Sequence, residues 1–570
     1  MQRRLDQMAA RHHDILIIGG GITGACIARD AALRGLDVAL VEQADFSSAT
    51  SAGSSKLVHG GLRYLANFEL GMVRESLRER RIWEAIAPHM VTPVPFLIPL
   101  YGVASALKLK IGLTLYDALS YDRNRLDDPD KHMPRHRRIS RDEALARAPF
   151  LNQHGLTGAL IYYDCQMYSP ERLGVECIGD AADNGAHVAN YARVDALLTE
   201  PAGAETGAGR TVTGARVRDM LDGAHHDVKA RLTINATGPW GDMVMALAAH
   251  DGAPARSLIR SKGIHLITRK LTDDMALAVQ PKDGGHFFVI PWRDHTLIGT
   301  TDTVFKGRPD ALGVSEDDIA DFLAVINAGL PGLSLTRDDV QHFYAGLRPL
   351  VDTNPNADEK DSYGASRAAE IVDHATDGVD NLLSALGGKW TTSRHLAEQV
   401  VDQSLVKLGR AKAACVTAAR PVLGGEITRY RDFEEAAIRR LPHMAVEVVR
   451  NLARNYGSRM DDVVDIARQE NRPDLLEPLS NSTLTIAAQA LYAVRMEMAR
   501  SLDDVLQRRT GLGTLGHPGH DTVMRIADIV GDELGWDPSE RARQVALAEQ
   551  RFVTRDDFVT RDEDNAPRPA

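Results

Sequence analysis

Three glycines, Gly19, Gly21 and Gly24, stand in G-x-G-x-x-G spacing, and an acidic residue, Glu42, follows about twenty residues on. These residue types at this spacing make a turn that holds the phosphates of a dinucleotide. Gly19 permits the tight turn, Gly21 lets the backbone approach a pyrophosphate, and Gly24 lets helix and strand pack closely. A helix N-terminus behind the turn carries about half a positive charge toward the phosphates. Glu42 is then placed to accept hydrogen bonds from the adenosine ribose hydroxyls. The flanking pattern supports this over a plain strand-turn-helix without nucleotide. Asp14 to Ile18 is a short apolar run fit for a buried parallel strand, a helical run passes through Ala25, Ile27, Ala28 and Leu33 to Gly35, and Val38 to Val41 reads as the next strand.

Two later segments favour a flavin over a nicotinamide dinucleotide. Thr233 to Trp240 is a strand running into a small-residue turn around Ala236 and Gly238. Leu382 to Leu386 leads into Gly387-Gly388-Lys389, with Thr391 and Thr392 expected to cap the following helix. A helix N-terminus with Lys389 beside it suits the electron-rich end of a reduced flavin.

The elements that must carry these turns fill a chain of 570 residues, too long for one core. Apolar residues are 44% and charged residues 25%, an ordinary folded composition. The net charge of -11, without long Lys/Arg blocks, argues against a nucleic-acid partner. Four scattered cysteines show no metal-ligand spacing, so no metal is expected and a reducing compartment is. Met1 to His13 has no apolar core of a signal peptide, and no run approaches eighteen apolar residues, so a cytoplasmic protein is expected. Ile264–Thr268, His286–Pro291 and Thr296–Thr300 read as strands of a second sheet. Pro201–Gly209 reads as a connector and Thr353–Asp361 as a polar loop. From about 415 the pattern is helical: Leu491, Val494, Met498, Leu502 and Val505 are spaced as one helix face, and Asp537-Pro538-Ser539-Glu540 is a helix start. Residues 415–555 form the expected helical domain, and 556–570 a charged tail.

Several segments together resemble the FAD-dependent glycerol-3-phosphate dehydrogenase family. They are Ser54-Ser55-Lys56-Leu57-Val58-His59-Gly60-Gly61-Leu62-Arg63-Tyr64-Leu65, Asn235–Trp240, Phe288–Trp292, Gly299-Thr300-Thr301-Asp302, Gly346–Leu350, Gly387-Gly388-Lys389 and Tyr456–Arg459, with Glu497-Met498-Ala499 and Val505–Gly511. The likeness runs from about Asp14 to Phe552 in the family's order. Ile264 departs from it, standing where members commonly carry a small hydroxyl residue, and Tyr163-Asp164-Cys165-Gln166 is similar to the family's Tyr-Asp turn.

The resemblance implies an α/β protein: a two-dinucleotide-binding, Rossmann-like FAD domain (14–90, 150–255, 340–405), an antiparallel-sheet α+β substrate domain (91–149, 256–339), an all-α C-terminal cap (415–555), and flexible tails at 1–13 and 556–570. It implies oxidation of sn-glycerol 3-phosphate at C2 to dihydroxyacetone phosphate, with electrons passing through FAD to a membrane quinone. Cofactor contacts are then expected from Gly19, Gly21, Gly24, Glu42, Ser54, Ser55, Lys56, Leu57, Ala236, Gly238, Gly388, Lys389 and Thr391. A small dianionic substrate calls for fixed cations, here Arg63 and Arg348, with Tyr64 and His265 as further substrate contacts. A base poised near neutrality calls for histidine. His59, between Lys56 and Arg63, is the first choice and His265 the second, flanking cations keeping the ring neutral. Lys389 offsets negative charge on the reduced flavin. Asp302 reads as touching ligand or orienting a neighbouring arginine.

Phe96–Tyr101 and Leu107–Leu113, with Lys108 and Lys110, fit a core-packing helix or an interfacial segment. The quinone-linked chemistry implied by the resemblance favours peripheral contact with the inner face of the cytoplasmic membrane, and leaves room for a homodimer. An oxidase passing electrons to O2 to give hydrogen peroxide is the alternative. An amino-acid-oxidase-like enzyme does not account for the whole motif order, and a catalytically dead scaffold would be expected to lose His59, Arg63, Arg348 or Lys389.

Overall fold

A computed structural model describes residues 1–202, 209–248, 256–281, 285–351 and 369–555. The expected loop at Thr353–Asp361 and tail at 556–570 lie outside the described residues, as does most of the connector after Pro201.

The first strand, His12–Ile18, pairs in parallel with Val38–Val41 on one side and His225–Asn235 on the other. His187–Ala189 and Leu382–Leu386 extend this parallel core, and Glu370–Asp373 closes one edge antiparallel. Ile15 and Ile17 point into one apolar cluster, Leu16 and Ile18 into another. Burial on both faces is why the strand reads as an unbroken apolar run rather than an alternation. Helix Ile22–Leu33 packs on the first face with helices Pro170–Asp183 and Ser393–Lys407.

The second sheet is built mainly of antiparallel pairs, with one parallel pair between Val91–Tyr101 and Ala276–Val279. One of its two longest ladders joins Leu258–Arg269 to Val340–Val351, with His295–Gly299 and then Phe287–Trp292 on the other side. Leu156–Met167 and Val340–Val351, expected in the nucleotide domain, are strands of this sheet. Register explains the correction: each finds eleven or more opposite partners there, and residue type along a buried strand does not name its neighbour.

Residues 1–13 are not a loose tail. Leu5–Ala9 is helical with Leu5 and Met8 buried, Arg3 clamps Asp219 at 2.6 Å, and His12 opens the first strand.

The C-terminal helices enclose their own apolar core. Asp537 caps the helix Pro538–Glu549 as expected, accepting the Glu540 amide at 2.7 Å. The helix expected through Leu491–Val505 is broken: Ala487–Arg495 ends, Met498 takes φ 59°, and Asp504–Arg509 forms a π-helical turn. The break serves tertiary contacts, since Asn190 donates to the Met498 carbonyl and Arg509 to the Glu497 carbonyl. Arg508 and Arg509 then reach Asp45, just past the second strand, at 2.6 and 2.7 Å. Burial pushes the Asp45 carboxyl up, and the two guanidiniums more than reverse that, leaving it ionised.

Candidate active site

At the nucleotide end the glycines divide their work. A Cβ on Gly19, where φ is +109°, would sit 2.7 Å from the Ala236 carbonyl oxygen, and one on Gly24 would overlap the Gly19 carbonyl. These two are closed by protein backbone. At Gly21 a Cβ would meet only the Ser51 hydroxyl at 3.3 Å, and at Gly238 nothing within 4 Å. The surface beside Gly21 and Gly238 is therefore open to close approach by a ligand, which fits a dinucleotide.

Glu42 accepts the Gly20 and Ala44 amides at 2.7 and 2.9 Å, so its carboxylate is held beside the turn. Burial pushes that carboxyl up, against the pull of the two amides. Ser51, which the sequence pattern did not single out, accepts the Ile22 amide at 2.8 Å and so caps the helix N-terminus.

The loop from Thr50 to Lys56 is laced onto the second sheet. Thr50 donates to the Leu347 carbonyl at 2.7 Å, Tyr344 donates to the Ser54 carbonyl at 2.7 Å, and Ser55 Oγ lies 2.9 Å from His265 Nε2. Gly53 and Gly346 touch backbone to backbone. The period of two along paired strands puts Ser261, Gly263 and His265 on one face, opposite Arg348, Gly346 and Tyr344 in register. Ile264 therefore points the other way, into the core, and its amide donates to Thr301 Oγ1 at 3.0 Å.

Arg348 is oriented by Ser261 Oγ at 3.0 Å, Thr300 Oγ1 at 3.1 Å and the Thr301 carbonyl at 3.1 Å, with Asp302 3.8 Å away. Asp302 also accepts from Ser261, so it orients the arginine. His265 is buried, and burial first, then the Arg348 and Lys56 cations, push its imidazole well below the usual histidine range. Its Nδ1 has no hydrogen-bond partner among the described residues.

Lys56 is placed differently from expectation. It is buried, its ammonium lies 2.9 Å from Glu171 and 3.0 Å from the Ala52 carbonyl, and its field acts on His265. Glu171 carried no motif and is 115 residues away. Leu57 belongs to the strand Leu57–Val58 and its side chain is core.

His59 is half-buried, with its ring edge-on to Phe288 at 6.4 Å. Thr391 does not cap the helix Ser393–Lys407; its hydroxyl accepts the His59 amide at 3.2 Å. Lys389 follows the left-handed Gly387 and Gly388 and sits 4.4 Å over the Tyr64 ring. Arg63 lies in the turn Leu62–Asn67, and its side chain is outside what the structure describes.

The site thus links an open dinucleotide turn, through the Thr50–Lys56 loop, to a sheet face that carries an oriented arginine and a neutral histidine. Residues 14–403 match the family described as FAD dependent oxidoreductase, and 415–541 the C-terminal domain of alpha-glycerophosphate oxidase. A glycerol-3-phosphate dehydrogenase of Synechocystis sp. is 35% identical over 95% of this chain and 97% of its own. The chain belongs to the FAD-dependent glycerol-3-phosphate dehydrogenase family. An aerobic glycerol-3-phosphate dehydrogenase of Staphylococcus aureus is 32% identical over 93% of this chain and 92% of its own. The crystal structure of a glycerol-3-phosphate dehydrogenase from Bacillus halodurans, complexed with FAD, superposes with a TM-score of 0.76 at 28% identity, covering 96% of each chain. The fold, but at 16% identity no more than the fold, is shared with an L-alpha-glycerophosphate oxidase from Mycoplasma pneumoniae (TM-score 0.52, 71% of this chain and 98% of that one). Family membership makes the cofactor FAD, and Gly21 leaves the backbone of this turn open to close approach.

Proposed function

We propose that the protein oxidises sn-glycerol 3-phosphate at C2 to dihydroxyacetone phosphate and delivers the electrons to a membrane quinone. The observation that carries the reading is Arg348 and His265 on one sheet face, with the Gly263–Gly346 pair between them, one a pre-oriented cation, the other a histidine kept neutral. Bound FAD supplies the hydride acceptor. Arg348 binds the substrate phosphate, its guanidinium already aligned by Ser261 and Thr300. His265 takes the proton of the C2 hydroxyl. It is preferred to His59 because it is buried, neutral and beside the phosphate anchor, and because a dianion seated on Arg348 cancels part of the field that lowers its basicity. Lys389 sets a cation at the flavin end, where negative charge collects. Tyr64 and His59 complete the substrate wall.

The quinone reading is supported by one face of the helix Val103–Leu119. Leu107 and Ile111 are 60% and 62% exposed, Leu115 lies on the same side, and Lys108 and Lys110 are exposed beside them. Phe68, 84% exposed, ends the turn that packs on this helix. The preceding Phe96–Tyr101 segment is mainly a buried strand, so the exposed apolar face here is that of the helix. Among the described residues no helix is long and apolar enough to cross a membrane, which fits peripheral contact.

The test is an absorbance spectrum of the purified protein before and after anaerobic addition of sn-glycerol 3-phosphate. Bleaching of the flavin bands is expected, with slow recolouring on readmitting oxygen. Prompt recolouring with peroxide identifies an oxidase instead, and flavin bands that ignore the substrate overturn the reading.

A further inference from the structure

Asp164 plays no part in the reaction described above, yet its buried carboxylate gathers donors from three elements. Oδ1 accepts Arg80 at 2.6 Å, the Tyr116 hydroxyl at 2.8 Å and the Gly60 amide at 3.2 Å, and Oδ2 also accepts Tyr116 at 2.8 Å. Arg80 comes from the helix Leu70–Ile86 and Tyr116 from Val103–Leu119. Neutralising a buried carboxylate needs the arginine. It does not need a contact to the backbone of the loop that carries His59.

That loop is held from both sides. The His59 amide donates to Thr391 Oγ1 at 3.2 Å, and the Thr391 hydroxyl lies 3.5 Å from the His59 carbonyl. The next amide, Gly60, is the one that Asp164 takes. A Cβ on Gly60 would overlap the Tyr116 hydroxyl, so the loop is pressed onto that tyrosine. Gly61 then turns with φ +72°, and the chain delivers Tyr64 under Lys389.

We propose that Asp164, through Tyr116 and with Arg80, is a positioning residue for the reaction: it fixes the His59–Gly61 backbone so that His59, Tyr64 and Lys389 keep one arrangement against substrate and flavin. The inference rests on the function proposed above. Its physical basis is that an active-site displacement of about 1 Å can cost about 100-fold in rate.

The test uses the FAD-loaded full chain. Tyr116→Phe removes one hydroxyl and leaves the ring and the Arg80–Asp164 pair. It is expected to keep the wild-type FAD content, to slow the limiting rate of flavin reduction by sn-glycerol 3-phosphate about tenfold, and to leave the substrate Kd within about two-fold. Deuterium exchange at residues 58–62 should rise about tenfold. In the unsubstituted protein the Gly60 amide should exchange more slowly than that of Gly61, a measurement that stands even where a variant folds poorly. Reduction and loop exchange both at wild-type rates in Tyr116→Phe, or an unprotected Gly60 amide in the parent, overturn the inference. If the parent flavin is not bleached by substrate at all, the proposed function fails instead, and loop exchange still decides whether Asp164 holds the backbone.

Discussion

The His265 ring lies on Tyr344 at 4.8 Å between centroids with 16° between planes, because the two residues are direct partners on neighbouring strands. Tyr344 in turn donates to the Ser54 carbonyl, and Ser55 reaches the other edge of the imidazole. The ring is thus fixed in plane and direction by one strand and one loop, and Nδ1 is its buried nitrogen without a hydrogen-bond partner among the described residues.

That placement separates the two histidines. His265→Gln should lower the limiting rate of flavin reduction by about 100-fold or more, the usual scale of general-base removal, while His59→Gln stays within about tenfold of the parent. Stopped-flow reduction under anaerobic conditions reads both. The reverse order would return the proton to His59.

Arg348→Ala should raise KM for sn-glycerol 3-phosphate by about 100-fold, the worth of a charge-assisted pair of hydrogen bonds. Arg348→Lys should recover little, since one ammonium cannot span Ser261 and Thr300 as the guanidinium does. Steady-state assays with a dye acceptor decide it, and an unchanged KM would move the phosphate elsewhere.

Acid should destabilise the protein through two buried histidines. Burial lowers the imidazoles of His265 and His342, the latter to about 4. In the unfolded chain both titrate near the ordinary value of about 6.5, so between that value and the folded one the unfolded state binds more protons. Their contribution is complete above about 6.5 and is lost as pH falls toward 4, on the order of 3 kcal/mol for His342. Urea unfolding at pH 7 and pH 5 should show the loss, and His342→Phe should flatten the difference.

Gly24→Ala should yield a protein without bound FAD, because the new methyl collides with the Gly19 carbonyl inside the turn. Gly21→Ala has more room and should bind FAD more weakly without preventing folding. Flavin absorbance per chain after purification distinguishes them.

Leu107→Glu with Ile111→Glu should abolish sedimentation with anionic phospholipid vesicles while dye-linked activity stays within about two-fold, since both side chains face outward. Unchanged sedimentation would place lipid contact on another surface.

The nucleotide turn was legible because its determinants are local: a strand, three glycines and an acid within thirty residues, where sterics alone restrict the choice. The Arg348–His265 face could be anticipated only through family likeness, since Ser261, Thr300 and Tyr344 are ordinary residue types until register aligns them. Lys56 shows the limit most clearly. Its place in a motif suggested a ligand contact, whereas its partner Glu171 is supplied by a helix whose position no local pattern encodes. The break at Met498 hid for the same reason: apolar spacing continues through it, and the contacts that bend the chain come from Asn190 and Arg509.

Asp45 and Arg509 are 464 residues apart. At a synthesis rate of about 5–20 residues per second, roughly 25–90 seconds separate their emergence from the ribosome. During that interval Asp45 is an anion destined for burial, and its guanidinium partners Arg508 and Arg509 have yet to be made. Burial of a carboxylate made early is therefore timed by the helical domain that follows it in the chain.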